Sequence, residues 1–294
     1  MLVTNSIRGL GDNVTYAFSN FLSAAVTLIL NVLFLVVFRW DAMSMLVAYI
    51  VGPIMGGTVA FIYKKMWDYL GVRYIKVSKI KEYLRYSAPL VPNELSWWVL
   101  HASDRTIISI ALGVSANGLI AVASRFSNIY TTIFSVFNTA WTEQCVLHYK
   151  EEGGKEYLAK TVIVVTKIFT SMTIGLVATM PFVFYIMVNV KYQDAYGIIP
   201  IYLFAVYFNV IIGLLSPIYL VYNETGKVAK STICAALINI VVDILLVPFV
   251  GVYAAAISSL VAYFIISLWR LLDVRKHYVK IDFSGRFIVV SVLV

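Results

Sequence analysis

Long apolar runs alternate along this chain with short polar segments. A helix needs roughly 20 consecutive apolar residues to cross a bilayer. Runs of that kind lie at 14–38, 44–63, 86–112, 118–147, 161–188, 197–221, 231–248 and 252–269, and a further run begins at Phe287. The pattern therefore predicts an all-α fold, a polytopic transmembrane helix bundle with eight spans and the start of another.

Composition supports a membrane protein and argues against a soluble one. Of the 294 residues, 61% are hydrophobic and 13% charged, whereas soluble domains average about 45–50% and about 25%. The two cysteines, Cys145 and Cys234, have no CxxC or histidine-rich neighbours, so we expect no disulfide and no metal site. The first residues lack the features of a cleaved secretory signal, so the chain is expected to enter the membrane through its own spans.

The basic residues follow a side-to-side alternation. Of the 23 lysine and arginine residues, 18 lie in the connections 1–13, 64–85, 148–160, 222–230 and 270–286, whereas the intervening connections hold only Arg39 and Lys191. By the positive-inside rule the first set is cytoplasmic, which predicts an inner-membrane protein whose chain starts in the cytoplasm. The net charge of +8 is thus explained by topology, and nucleic acid is not an expected partner.

Ionisable residues inside two neighbouring spans are the main functional signal. In NELSWWVLHASDRTIISIAL, residues 93–112, helical spacing aligns Glu94, Trp98, His101 and Arg105 on one stripe, with Asp104 about 80° to the side. The next span carries a second polar stripe made of Arg125, Asn128, Thr132, Thr139 and Glu143. Because charge is costly in hydrocarbon, these stripes predict a hydrated translocation path rather than ion pairs such as Asp104 with Arg125 that only hold helices together.

Two further side chains, and a specific role for His101, extend this site prediction. Lys167 and Asp243 are weaker members of the path, because each could also snorkel or pair near its span end. His101 is a candidate proton relay, since it shares its stripe with acidic groups. The predicted substrate path is therefore Glu94, His101, Asp104, Arg105, Arg125, Asn128, Thr132, Lys167 and Asp243.

Other sequence patterns narrow the function and the packing. No nucleotide-binding loop and no hydrolase or metalloprotease motif is present in the sequence, so no cofactor is expected and uphill transport would draw on an ion gradient or on mass action. The second span contains Gly52, Pro53, Gly56 and Gly57, for which close helix packing is favoured over a hinge.

One segment resembles a known family. The stretch LRYSAPLVPNELSWWVLHASDRTIISIALGVSANGLIAVASRFSNIYTTIFSVFNTAW resembles the seventh and eighth helices of Wzx-type lipid-linked oligosaccharide flippases, in the multidrug/oligosaccharidyl-lipid/polysaccharide exporter superfamily. The matching features are the Pro-x-x-Pro-Asn at 89–93, the Asp104-Arg105 pair, the turn at 113–118 and the Ala-Ser-Arg at 123–125. RGLGDN resembles the approach to the fifth helix. YNETGKVAK and INIVVDILLVP resemble the turn between the tenth and eleventh helices and the helical segment after that turn.

The resemblance implies a MATE-like architecture of two lobes with the first lobe incomplete. Residues 1–70 would form the last two helices of the N-terminal lobe, 71–85 a basic cytoplasmic linker, 86–272 a six-helix C-terminal lobe, and 273–294 a cytoplasmic loop and the start of a further helix. Of the path residues, Asp104, Arg105, Arg125 and Asp243 match charges that line the family's cavity. Where family members often place a proline after the tryptophan that closes the eighth helix, here Thr142 follows Trp141.

The function implied by the resemblance is flipping of an undecaprenyl-pyrophosphate-linked oligosaccharide to the outer leaflet by alternating access, during synthesis of O-antigen, capsule or exopolysaccharide. Implied partners are membrane lipid, a coupling proton or cation, and a polysaccharide polymerase with its chain-length regulator. A cation-coupled multidrug antiporter of the same superfamily is the close alternative. A membrane-embedded polymerase or acyltransferase is less favoured, because the predicted outer loops are short and no catalytic histidine is evident.

Overall fold

The computed structural model describes residues 2–41, 43–69, 71 and 76–282. The run predicted to begin at Phe287, and part of the predicted 71–85 linker, lie outside these residues. The described chain is all-helical and contains ten α-helices: α1 Leu2–Gly9, α2 Asn13–Val32, α3 Met43–Tyr63, α4 Val77–Ser87, α5 Leu90–Leu112, α6 Val114–His148, α7 Gly154–Met187, α8 Ile198–Val221, α9 Thr225–Val250 and α10 Tyr253–His277. A π-helical turn, Leu33–Val37, extends α2, and short 3₁₀ helices occupy Met66–Tyr69 and Val190–Ala195.

The prediction of a polytopic helical bundle is confirmed. Seven of the described helices are long and apolar enough to cross a membrane, counting α2 together with its π-helical turn. The remaining predicted span, 86–112, forms α5, which has 23 residues and whose charged and polar side chains keep it out of those seven. It is the same helix that carries the first predicted polar stripe.

Helices continue beyond the predicted spans into segments that hydropathy assigned to connections. The structure has α1 within 1–13, and α4 lies mostly within 64–85 and ends at Ser87. The helix α7 starts at Gly154, α9 starts at Thr225 and α10 runs to His277. Hydropathy marks the part of a helix that is compatible with lipid, whereas backbone hydrogen bonds can extend the helix into water. The apolar residues of α4, at positions 77, 80 and 84, also have helical spacing.

The chain divides into two compact units, Met1–Ile80 and Lys81–Val294. In the first unit, α3 buries a row of small residues spaced by four: Ser44, Ala48, Gly52, Gly56 and Ala60. This row packs against α2, where Ser19 Oγ donates a hydrogen bond to the carbonyl of Gly56 at 2.8 Å. A side chain at Gly52 or Gly56 would collide with α2, whereas Gly57 faces open space. Close packing therefore accounts for two of the glycines in this span.

The start of α2 and the residue after α3 are joined by an ion pair. Asp12 caps α2 by accepting a hydrogen bond from the backbone N–H of Thr15 at 3.0 Å, and its carboxylate also pairs with Lys64. The hydrogen bond from Lys64, followed by those from Thr15, holds the pKa of Asp12 well below its ordinary value. The same contact raises the pKa of Lys64.

In the second unit α8 is the most buried of the candidate spans. It packs against α6, α7 and α10, while α5 packs against α9 and α6. Apolar side chains of α6, α7 and α8, including Tyr130, Phe169 and Leu214, form the largest core cluster. This arrangement brings one face each of α5, α6, α8 and α10 around a common space.

Candidate functional site

A cavity of about 700 Å³ lies within the second unit, between α5, α6, α8 and α10. Its wall combines charged, polar and aromatic side chains with a few aliphatic ones. The charged and polar lining residues are His101, Asp104, Arg105, Ser124, Ser127, Asn128, Thr131, Asn209 and Ser259, and the aromatic ones are Trp97, Trp98, Tyr202 and Tyr263. A cavity of this size and mixed lining is typical of a ligand site.

Four of the nine predicted path residues line this cavity: His101, Asp104, Arg105 and Asn128. The other five lie elsewhere in the second unit. Glu94, Arg125, Thr132 and Lys167 are exposed outside the cavity, and Asp243 is fully buried in α9.

The helix α5 has two functional faces, and they divide the predicted residues between them. One face is buried and consists of Asn93, Ser96, Leu100, Asp104 and Ile108. The predicted stripe of Glu94, Trp98, His101 and Arg105 is exposed. Asp104, expected to lie to the side of this stripe, belongs to the buried face, so the two neighbours Asp104 and Arg105 have different environments.

Asp104 is held in a polar network that connects three helices. Ser259 of α10 donates a hydrogen bond to Asp104 Oδ2 at 3.0 Å. Asn239 of α9 donates to Ser258 at 3.1 Å and to Ser259 at 3.4 Å. Ser103 of α5 donates to Asn239 Oδ1 at 3.3 Å. The network fixes the Asp104 carboxylate at the back wall of the cavity.

A second carboxylate lies close to the first. Asp243 is 0% exposed, and α9, which carries it, packs against α5, which carries Asp104. Neither oxygen of Asp243 nor Asp104 Oδ1 has a hydrogen-bond partner among the described residues. Because buried carboxylates ordinarily satisfy their oxygens, these three oxygen atoms are candidates for binding a proton or a cation.

The arginines of the predicted path are not neutralised by acids. Arg105 faces the cavity, and neither Arg105 nor Arg125 forms an ion pair in the part of the chain that the structure describes. The Asp104–Arg125 ion pair considered from sequence therefore does not occur among these residues. Arg105 instead remains available to an anionic ligand.

Aromatic side chains cover part of the cavity wall. Trp97 stacks on His101 with ring centroids 6.4 Å apart and contacts Tyr263 at 5.9 Å. Trp98 is 68% exposed and lines the cavity. One indole is therefore fixed by its neighbours, while the other presents an open face.

Sequence reasoning did not select several lining residues, among them Tyr202 and Asn209 on α8. These two are seven residues apart, so they share a helix face, but α8 reads as almost uniformly apolar. Ser124, Ser127 and Ser259 were also missed, since small hydroxyl residues in a span more often serve helix packing. Among the described residues no group of three or more His, Cys, Asp or Glu could hold a metal ion.

Comparisons with known proteins identify the fold. No family model matches the sequence, and no curated protein matches it either. Solved structures are similar, among them an outward-facing multidrug resistance MATE family transporter of the MOP superfamily, with a TM-score of 0.74 and 17% identity over 92% of this chain and 64% of that one. A MATE in complex with MaL6 has a TM-score of 0.75 and 15% identity over 92% of this chain and 65% of that one. A MOP superfamily transporter from Pyrococcus furiosus has a TM-score of 0.72 and 18% identity, with the same two coverages of 92% and 65%.

These similarities show that the chain has the fold of MATE transporters. It spans 64% of the length of a structure such as the outward-facing one. The fold and the seven helices long and apolar enough to cross a membrane indicate a multi-pass membrane protein.

Proposed function

We propose that this chain belongs to a transporter that moves an undecaprenyl-pyrophosphate-linked oligosaccharide from the cytoplasmic to the outer leaflet by alternating access. The observation that carries the proposal is the lining of the 700 Å³ cavity, where an unpaired arginine is surrounded by neutral hydrogen-bonding groups and indole rings. Each of these three kinds of group matches a part of such a cargo.

The anionic part of the cargo fits Arg105. A guanidinium group binds phosphate oxygens with two parallel charge-assisted hydrogen bonds. Arg105 is free of acidic partners among the described residues and lines the cavity.

The sugar part of the cargo fits the neighbouring groups. Asn128 and Asn209 offer amides, and Ser124 offers a hydroxyl, which are suitable partners for sugar hydroxyls. Trp98, with its exposed ring, offers an apolar surface to a sugar face. Beyond the cavity, Thr132 and the rest of the exposed α6 stripe would extend this hydrophilic surface.

Coupling to an ion gradient is proposed for the carboxylates behind the cavity. Asp104 and Asp243 would hold a proton or another cation, because sharing one removes the repulsion between two buried carboxylates. The side-chain oxygens of Ser259 and Asn239 lie in the same network. Since Asp104 is also in the cavity wall, cation binding and cargo binding would act on one residue.

The alternative function is cation-coupled multidrug antiport. It is favoured by the aromatic residues of the cavity and by the acidic Asp104, which could bind a lipophilic cation. One structural neighbour is described as having a reverse polarity of binding pocket that suggests a different function, so pocket polarity is the property that separates the two proposals. Here the cavity has one arginine without an acidic partner among the described residues and one carboxylate already bonded to Ser259, which favours an anionic cargo.

The test uses substitutions in the protein expressed from its own locus. We expect Arg105→Ala and Asp104→Ala, which change residues of the cavity wall, to abolish surface polysaccharide while membrane levels of the protein stay normal. Arg105→Lys, which keeps the charge, is expected to retain part of the activity. Normal polysaccharide in both alanine variants would refute the proposed role.

Lipid analysis of a deletion strain distinguishes the two functions. Build-up of lipid-linked repeat units on the cytoplasmic leaflet supports the flippase. Sensitivity to cationic drugs with normal surface polysaccharide supports the antiporter.

A further inference from the structure

A second cavity, of about 450 Å³, lies where the start of α7 meets the end of α10. Four lysines line it: Lys155 and Lys160 from α7, Lys276 from α10, and Lys280 just after α10. We refer to these four residues and the space between them as the basic groove. It does not share a lining residue with the cavity between α5, α6, α8 and α10.

The wall of the basic groove is fixed by packing. After α10, Val279 and Ile281 are each 1% exposed and belong to the large apolar core together with Leu158 of α7. Lys280 lies between them and is exposed. Because buried and exposed side chains alternate in this way, the segment 279–281 is packed against α7 and Lys280 points away from the core.

The groove carries an excess of positive charge. Arg275 pairs with Asp282, and His277 pairs with Asp273. In contrast, the four lysines of the basic groove form no ion pair among the described residues, and Glu156 is the only acidic residue of the lining. The excess positive charge would be compensated by an anionic ligand.

The position of Lys155 adds to this field. It lies in the first turn of α7, at the positive end of the helix macrodipole, where lysine is electrostatically unfavourable and an anion is favourable. The lysine and the helix end therefore attract the same ligand.

The basic groove lies outside the apolar runs of α7 and α10. At 1.5 Å per residue, α7 with its 34 residues is about 50 Å long, which exceeds the roughly 30 Å hydrocarbon core. The apolar runs lie at 161–188 and 252–269, so Lys155 and Lys160 before the first run and Lys276 after the second are on the stretches expected to meet lipid headgroups. A topological bias toward basic residues explains lysines on one side of the membrane, but it does not require them to converge on a concave space.

We infer that the basic groove binds the phosphate headgroup of an anionic membrane lipid. The lysines contact the phosphate, and the acyl chains lie along the lipid-facing sides of the two helices. This site is separate from the proposed transport path, so it stands whether the cargo is an oligosaccharide or a drug.

The experiment is titration of the purified chain in a neutral detergent with phosphatidylglycerol, with bound lipids counted by native mass spectrometry. In a variant with all four lysines of the basic groove changed to glutamine, we expect the tightest phosphatidylglycerol to bind at least about tenfold more weakly or to be lost. Each lysine near a lipid phosphate contributes on the order of 1 kcal/mol, and about 1.4 kcal/mol is a tenfold change, so the loss of only two of the four contacts would already exceed tenfold. Phosphatidylcholine is expected to bind both proteins equally weakly.

A matched control removes the same charge elsewhere. The control variant changes four exposed lysines outside the groove to glutamine: Lys65, Lys76, Lys81 and Lys230. Unchanged binding in the groove variant, or an equal loss in the control variant, would overturn the inference. Excess inorganic phosphate is added in parallel; displacement of the lipid by phosphate would assign the groove to a soluble anion and also overturn it.

Discussion

A buried arginine on α10 allows a stability prediction in which the order of two substitutions is the reverse of what a count of lost hydrogen bonds would give. Arg270 is 1% exposed and has no acidic residue in hydrogen-bond contact among the described residues. Its Nε and Nη2 donate to Ser231 Oγ at 2.9 and 2.6 Å, Nη2 to Thr232 Oγ1 at 2.9 Å, and Nη1 to Ser216 Oγ at 2.6 Å. The guanidinium therefore joins α8, α9 and α10 through hydroxyl groups.

Replacing Ser231 is expected to lower the free energy of unfolding more than replacing Arg270. Ser231→Ala removes two charge-assisted hydrogen bonds and leaves Nε without an acceptor in a buried place. At about 1.5–3 kcal/mol for each hydrogen bond to a charged group, partly recovered by relaxation, we expect a destabilisation of about 2–4 kcal/mol.

Arg270→Met leaves no buried hydrogen-bond donor without an acceptor at these three hydroxyl groups. Ser231 and Thr232 already donate to the carbonyl of Val228 at 2.8 and 3.0 Å, and Ser216 donates to a carbonyl of its own helix at 2.7 Å. Methionine keeps the apolar stem, and the desolvation cost of the charge disappears. The expected change is therefore about 1 kcal/mol or less.

The assay is the apparent Tm in detergent, followed by size-exclusion chromatography after heating. We expect Ser231→Ala to lower the Tm by roughly 5–10 °C and Arg270→Met by only about 2 °C. In the double variant the alanine should have almost no further effect, because the group that it orphans is gone. A larger loss for Arg270→Met than for Ser231→Ala, or additive losses in the double variant, would refute the reasoning.

Three further predictions concern other parts of the chain. Gly56→Leu should destabilise the α2–α3 pair by about 1–3 kcal/mol through overpacking, whereas Gly57→Leu, which faces open space, should leave the Tm unchanged; equal effects would contradict the packing. Asp12→Asn should lower the Tm at pH 7, because the ion pair with Lys64 lowers the pKa of Asp12. The contribution of this carboxylate to the stability of the fold is therefore present above about pH 4 and is lost on further acidification. The difference in Tm between the variant and wild type should shrink in strong acid. Asp243→Asn should leave the protein folded but make transport in proteoliposomes independent of the proton or cation gradient; retained gradient dependence would exclude this residue from coupling.

Sequence alone was sufficient to predict the helical bundle and most of its spans. Hydropathy depends on local composition, so it located each membrane helix to within several residues without knowledge of its neighbours. It assigned α1 and α4 to connections, because neither is long or apolar enough to be a span. It also assigned Arg270 to a cytoplasmic connection, although this residue is buried in α10.

The candidate site was predicted only in part from sequence. Helical spacing identified the exposed stripe of α5 and placed Asp104 to its side, and four of the proposed residues, including Arg105 and Asn128, line one cavity. Spacing within a helix does not indicate which face meets which partner. It could not show that Asp104 turns toward Asp243, or that Arg125 remains outside the cavity.

Helix packing determines which polar residues work together. Asp104 and Asp243 are 139 residues apart in the chain and are brought together by the packing of α5 on α9. The basic groove likewise joins the start of α7 to the end of α10. Membrane insertion depends on the average polarity of a segment, which the sequence contains. A binding site depends on distances between side chains of different helices, and these distances exist only after the helices pack.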